Sequence, residues 1–152
     1  MKTELRIIFL LSLVLLTLSC SEDDTDQTSI LETTVIANGV LPSNEIISKK
    51  NIVITNQVEW QELLERLESV DPNILDSFSE TNLDFSNVQV IAVFDEVRPH
   101  TGFYINVSKV LEVESNVIAT VVMDNTENGY TALSQPYQIL TFEKINKPVI
   151  FK

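Results

Sequence analysis

The chain has 152 residues, 44% of them apolar, and a formal net charge of −12. That is enough apolar chain for one domain with a real core; the charge repels nucleic-acid backbones and gives no overall attraction to anionic lipid headgroups, so membrane attachment is expected to be covalent rather than electrostatic. One cysteine rules out an intramolecular disulfide and a cysteine-rich metal site, and three glycines are few enough that each is expected to mark a backbone demand.

In chain order, Lys2 and Arg6 form a basic head, and Ile7 to Leu18 is almost wholly apolar. A spanning helix needs ~20 apolar residues, so this run has the length of an export-signal core. It ends Thr17-Leu18-Ser19-Cys20, a small residue before a cysteine. The stretch resembles a lipobox, with Thr17 where an aliphatic residue is usual. The expectation is a signal peptide over 1–19 and lipid, palmitate included, on Cys20. Removing residues 1–19 takes away two cations and one anion and leaves −13. Ser21-Glu22-Asp23-Asp24 then opens an acidic tether, residues 20–29, too polar to order itself. It is similar to the acidic surface-export signals of some Gram-negative lipoproteins. The expected location is therefore the bacterial cell envelope: lipid-anchored, at the outer membrane, on its exposed side.

The folded part is expected over 30–152. Thr33 to Val40 is β-branched and apolar, stopping at the turn Leu41-Pro42-Ser43-Asn44, and Ile52-Val53-Ile54 is a second short strand. Asn56 with Glu59 three residues on is a capping box; Trp60, Leu63, Leu64 and Leu67 fall on one helical stripe, and Asp71-Pro72 ends it. One irregular turn is expected around Ile74-Leu75. Val88 to Phe94 is continuous enough for a strand buried on both faces. From 102 to 113 apolar residues alternate, putting Phe103, Ile105, Val107, then Leu111 and Val113 on one face, with a bulge where Lys109 and Val110 break parity. Ser115-Asn116 turns into Val117–Met123. Residues 124–134 form a polar loop with Gly129, and Tyr137–Glu143 and Val149–Phe151 close the chain, all as antiparallel strands. The fold class is α+β: a mostly antiparallel sheet, sandwich- or barrel-like, with one amphipathic helix packed on it.

Catalytic chemistry finds little to work with. His100 is the single histidine, no G-x-S-x-G is present, and Cys20 is committed to lipid. Adjacent Asp95 and Glu96 point to opposite sides of a strand and read as a solvated strand end. Asp124-Asn125-Thr126-Glu127-Asn128-Gly129 imitates the opening of a calcium loop but places Gln135 where the bidentate glutamate belongs. The Asn106-Val107-Ser108 acceptor pattern falls inside a predicted strand. No enzyme activity, metal or cofactor is expected. The stretch from Arg98 to Tyr104 is richer in chemistry: Pro99 stiffens it, Gly102 permits positive φ, and arginine and aromatics dominate interface hot spots. Arg98, His100, Thr101, Gly102 and Tyr104, with Tyr130 and Tyr137 from the later loop, are the expected partner contacts; Phe103 is expected in the core.

Four motifs in order carry a family resemblance. They are Trp60 in its helix, Leu83-Asp84-Phe85-Ser86 before the 88–94 strand, Pro99-His100-Thr101-Gly102-Phe103-Tyr104-Ile105, and Gln135-Pro136-Tyr137 leading a strand. Over roughly 55–152 the chain resembles the PrcB C-terminal domain family, whose name comes from a subunit of a surface protease complex. Where that family has Gly-Gly-Tyr this chain has Gly102-Phe103-Tyr104. The resemblance implies a non-catalytic envelope lipoprotein that binds or stabilises a protein partner, a protease among the candidates, and it brings no catalytic residues. Thr101-Gly102-Phe103 is also similar to the Thr-Gly-aromatic loop of chagasin-type cysteine-protease inhibitors, which implies an alternative role as an inhibitor plugging a protease with the 98–104 loop.

Overall fold

The computed structural model describes residues 28–42, 47–126 and 129–152. The expected signal peptide, Cys20 and nearly all of the acidic tether lie outside the described residues. Among the described residues, eight strands, one α-helix and a 3₁₀ turn follow in order: β1 (Ser29–Ile30), β2 (Thr33–Pro42), β3 (Lys50–Ile54), α1 (Gln57–Val70), the 3₁₀ turn Ile74–Ser77, β4 (Val88–Phe94), β5 (Phe103–Glu112), β6 (Val117–Asn125), β7 (Ser134–Glu143) and β8 (Val149–Phe151). They form two four-stranded sheets, ordered β2-β7-β4-β3 and β1-β5-β6-β8. The class is α+β and mostly antiparallel, as the sequence predicts, and among the described residues the sheets stay open rather than closing into a barrel.

Two cores hold three layers together. Ile91, Val93, Leu140 and Phe142 of the first sheet meet Ile105, Val110, Val117 and Ala119 of the second. The alternate residues Val90, Ala92 and Phe94 of β4, with Ile139 of β7, face Trp60, Leu63, Leu64 and Leu67 of α1. The middle sheet is thus apolar on both faces, which is why β4 reads as an unbroken hydrophobic run. Asn56 caps α1, its side chain accepting from the backbone of Val58 and Glu59 at 3.1 and 3.0 Å. Glu59 reaches back one residue further than in the usual box, to Thr55 N–H at 3.1 Å. Trp60 is fully buried and its indole N–H donates to Thr81 O at 2.8 Å. The expected irregular turn is the 3₁₀ segment that follows.

Three expectations need correction. The bulge in β5 falls between Val107 and Lys109 and hands the inward position to Val110, so Leu111 turns to the opposite face and Val113 lies past the strand. An extra residue reverses parity only beyond its own position, and the break lies one residue earlier than the apolar pattern implies. β8 pairs with β6 in parallel, not antiparallel: the 144–148 connection returns the chain across the end of the sandwich, and a three-residue strand carries no direction in its composition. β7 begins at Ser134 rather than Tyr137, because Ser134 and Gln135 are buried despite their polarity.

Candidate functional site

The loops that follow β4 and precede β7 meet at one end of the sandwich. Arg98 and Ser134 exchange backbone hydrogen bonds of 2.7 and 3.1 Å, an isolated bridge between the loop beyond β4 and the first residue of β7. Ser134 Oγ donates to His100 O at 3.0 Å. Thr101 N–H donates to Tyr130 O at 2.9 Å, and Tyr130 N–H returns a bond to Thr101 Oγ1 at 2.9 Å. Thr126 N–H donates to Gly102 O at 2.8 Å. Two glycines make the approach possible. Gly102 has φ +98°, and a Cβ on Gly129 would lie 1.8 Å from Thr101 O.

Beneath the loops sits a buried charge. The Asp95 side chain is inaccessible; its Oδ2 accepts from Arg98 Nε at 2.6 Å, and Lys49 Nζ lies 3.2 Å from Oδ1, an ion pair whose angle falls short of a hydrogen bond. Burial pushes the carboxyl up, but the Arg98 bond, the Glu96 backbone N–H and Lys49 outweigh it and hold Asp95 below its ordinary value. The Asp95 hydrogen bond raises Arg98 above its ordinary value against some desolvation. Arg98 Nη1 also reaches Glu96 at 3.1 Å, and the guanidinium lies 5.2 Å from the centre of the Phe103 ring, whose other neighbour is His100 at 4.6 Å. His100 Nδ1 is 2.8 Å from Thr101 O; a carbonyl only accepts, so this nitrogen carries the proton. Gln135, also buried, donates to Asp95 O at 2.7 Å and to Ile47 O, and accepts from Ile47 N at 3.2 Å. One side chain thereby ties the segment before β3 to the end of β4.

The sequence-predicted contacts divide accordingly. Thr101 and Gly102 are hinge points of the interlocked loops. Arg98 and His100 are turned inward as braces, since Asp95 and Phe103 offer them partners that water cannot match. Tyr137 is buried at 3% exposure, stacked on Phe94 with ring centroids 6.1 Å apart, and cannot be a contact: residue parity places it on the α1 side of β7. Burial raises its hydroxyl pKa, against a lowering hydrogen bond with Ser77. Tyr104 stands on the outer face of β5, 42% exposed, its hydroxyl pKa raised by a hydrogen bond with Asp124. Tyr130 is 83% exposed, and Leu133, three residues on and without a sequence signal of its own, is 57% exposed. Asp95 is buried rather than a solvated strand end; in the sequence, the signal of a buried pair is the opposite charge three residues on, at Arg98. Gln135 matters for the backbone it clamps, which its place in the calcium-like pattern does not signal.

Among the described residues no group of three or more His, Cys, Asp or Glu could hold a metal, and no helix is long and apolar enough to cross a membrane. Asp124 and Asn125 of the calcium-like stretch are the last residues of β6. No family model, curated protein or solved structure matches the chain.

Proposed function

We propose that this chain is a lipid-anchored cell-envelope protein whose domain is a non-catalytic protein-binding module, an accessory to a partner such as a protease. The observation that carries the reading is the interlocked loop pair, which exposes Tyr130 and Leu133 on a braced base. Tyrosine on a rigid loop is suited to binding because little side-chain or backbone entropy is lost on docking. Its position also fits. β5 runs from the loop pair at Phe103 to Glu112, where β1 pairs and the chain comes in from its N-terminal side. Ten strand residues at about 3.3 Å each separate the two ends by about 30 Å. A lipid on Cys20 would therefore attach the domain at the end opposite the loops. The resemblance of its motif order to that of PrcB C-terminal domains supports an envelope role with a protein partner.

The inhibitor alternative is less well supported. Phe103, the aromatic that a plugging loop would present, is sandwiched between Arg98 and His100.

Full-length protein carrying Tyr130→Ala and Leu133→Ala tests the docking surface. Both side chains are exposed, so the fold is preserved, and affinity capture from detergent-solubilised envelopes should lose a partner that wild type retains. Retrieval of the same partners by both would refute the assignment of the interface. Metabolic labelling with a palmitate analogue, abolished by Cys20→Ala, tests the anchor separately.

A further inference from the structure

The outer face of the β1-β5-β6-β8 sheet has no covering layer among the described residues, and an aliphatic row crosses it from edge to edge. The register pairs Ile30 with Leu111, Leu111 with Ile118, and Ile118 with Ile150. Their chain neighbours Leu31, Val110, Val117, Ala119, Val149 and Phe151 pack into the core between the sheets, so these four point the other way. Ile30 is 73% exposed and Ile150 41%, with Leu111 and Ile118 half-buried between them. Side chains on a solvent-facing sheet are ordinarily polar; four aliphatics in one cross-strand row, spanning about 14 Å, are not accounted for by the fold.

The next row on the same face carries two lysines. Lys109 pairs with Thr120. Lys152 continues β8 beside Thr120, its N–H donating to Ala119 O at 2.9 Å and its carbonyl accepting from Val121 N at 2.7 Å. Ten basic residues less Lys2 and Arg6 leave eight beyond the leader, and two of them stand on this face next to the apolar row. The acidic group nearest the row is Glu32, exposed two residues beyond Ile30, where the β1 register continues opposite Lys109; Asp124 lies at the far end of β6 and Glu114 in the β5–β6 turn.

We infer that this row is a membrane-contacting surface: a lipid bilayer covers it, with Lys109 and Lys152 against headgroup phosphates. The inference deepens the lipoprotein reading and rests on it. Ile30 is ten residues from Cys20, and the intervening chain, at most about 3.5 Å per residue, holds the row within about 35 Å of an acylated cysteine. The row lies at the end of β5 where the chain comes in, opposite the loop pair. Covalent acyl chains would supply the affinity; the row would fix the domain's orientation, its aliphatic side chains entering the interface to a depth of about 5–10 Å.

The test uses the full chain, processed in a lipoprotein-exporting host and reconstituted into vesicles of phosphatidylethanolamine and phosphatidylglycerol doped with brominated lipid. A bimane fluorophore is placed at Ile150→Cys or, as control, at the exposed Val58→Cys on α1. Emission at 150 should be quenched at least about two-fold more than at 58, and Ile30→Ser, an exposed substitution, should reduce that excess. Quenching at 150 no greater than at 58 overturns the inference. So does efficient 150-to-150 cross-linking, which would make a second copy the occupant. Mass spectrometry of the same sample separates the two claims. A Cys20 without lipid overturns the anchor and this inference together, whereas an acylated chain with an unquenched 150 label overturns the row alone.

Discussion

Gly129→Ala is the sharpest test of the interlocked loops. The added Cβ would sit 1.8 Å from Thr101 O and 2.8 Å from His100 Nδ1, where contacts under 3.0 Å do not occur. The loops must part by about 1.2–1.6 Å, because the obstacle is backbone rather than the tip of a flexible side chain. That separation breaks the reciprocal Thr101–Tyr130 bonds, each contributing about 1 kcal/mol, and adds overpacking strain of about 1–3 kcal/mol. The expected destabilisation is about 3–5 kcal/mol, or a fall in Tm of about 10–15 °C for a domain of this size. Urea unfolding should show a lower midpoint with an unchanged slope, and hydrogen exchange at Thr101 and Tyr130 should accelerate in the native state. A loss under about 0.5 kcal/mol is what a free surface loop would give and would refute the interlock. Gly102→Ala, strained by its positive φ, is expected to be destabilising by about 1 kcal/mol on that account alone.

Three further outcomes follow from the buried polar groups. Asp95→Asn removes the charge that Arg98 and Lys49 share and should cost about 2–3 kcal/mol at neutral pH, less than a fully enclosed pair because both cations are partly solvated. Because the Asp95 carboxyl is held below its ordinary value of 3.8, its contribution is complete above about pH 4 and is lost as pH falls through the lower folded value; the gap between wild type and variant in an acid titration of stability should be flat down to about pH 4 and close below it. Gln135→Glu should destabilise more than its near-isosteric size suggests, since a carboxylate has no N–H for the carbonyls of Ile47 and Asp95; unfolding midpoints matching wild type would disprove the clamp. Trp60→Phe keeps an aromatic in the α1 core but strands Thr81 O and leaves a void, an expected cost of about 2 kcal/mol by thermal unfolding.

The parts of the fold legible in the sequence are those where one periodicity runs uninterrupted. Asn56 and the stripe from Trp60 to Leu67 define α1, and the unbroken Val88–Phe94 run announces a strand between two layers. Legibility fails where tertiary contacts override local pattern. Ser134, Gln135 and Asp95 look like loop residues because polarity usually signals solvent; here each is buried against backbone or charge supplied by a distant segment. Of the candidate site, Gly102 and Tyr130 stand where their residue types imply, because a left-handed turn and an exposed loop aromatic are local properties. Tyr137 and Arg98 do not, since whether such side chains face out or in depends on Phe94 and Asp95, which only the folded chain brings to them.

The placement of the loops within the layers stiffens the surface proposed for docking. β4 and β7 are the two central strands of the middle sheet, with neighbours on either side and packed cores on both faces. The 95–102 loop leaves β4 and the loop carrying Tyr130 enters β7, so each has one end fixed in the most constrained part of the molecule. Their other ends belong to β5 and β6, which pair with each other along nearly their whole length. Between them the Arg98–Ser134 bridge continues the sheet's bonding past the end of β4, and Asp95 with Arg98 and Gln135 replaces the water that such polar backbone would otherwise require. A partner engaging Tyr130 and Leu133 would therefore meet a surface already ordered. The entropy of fixing it is spent in folding rather than in binding, which is the condition under which two exposed side chains can contribute most of an interface's affinity.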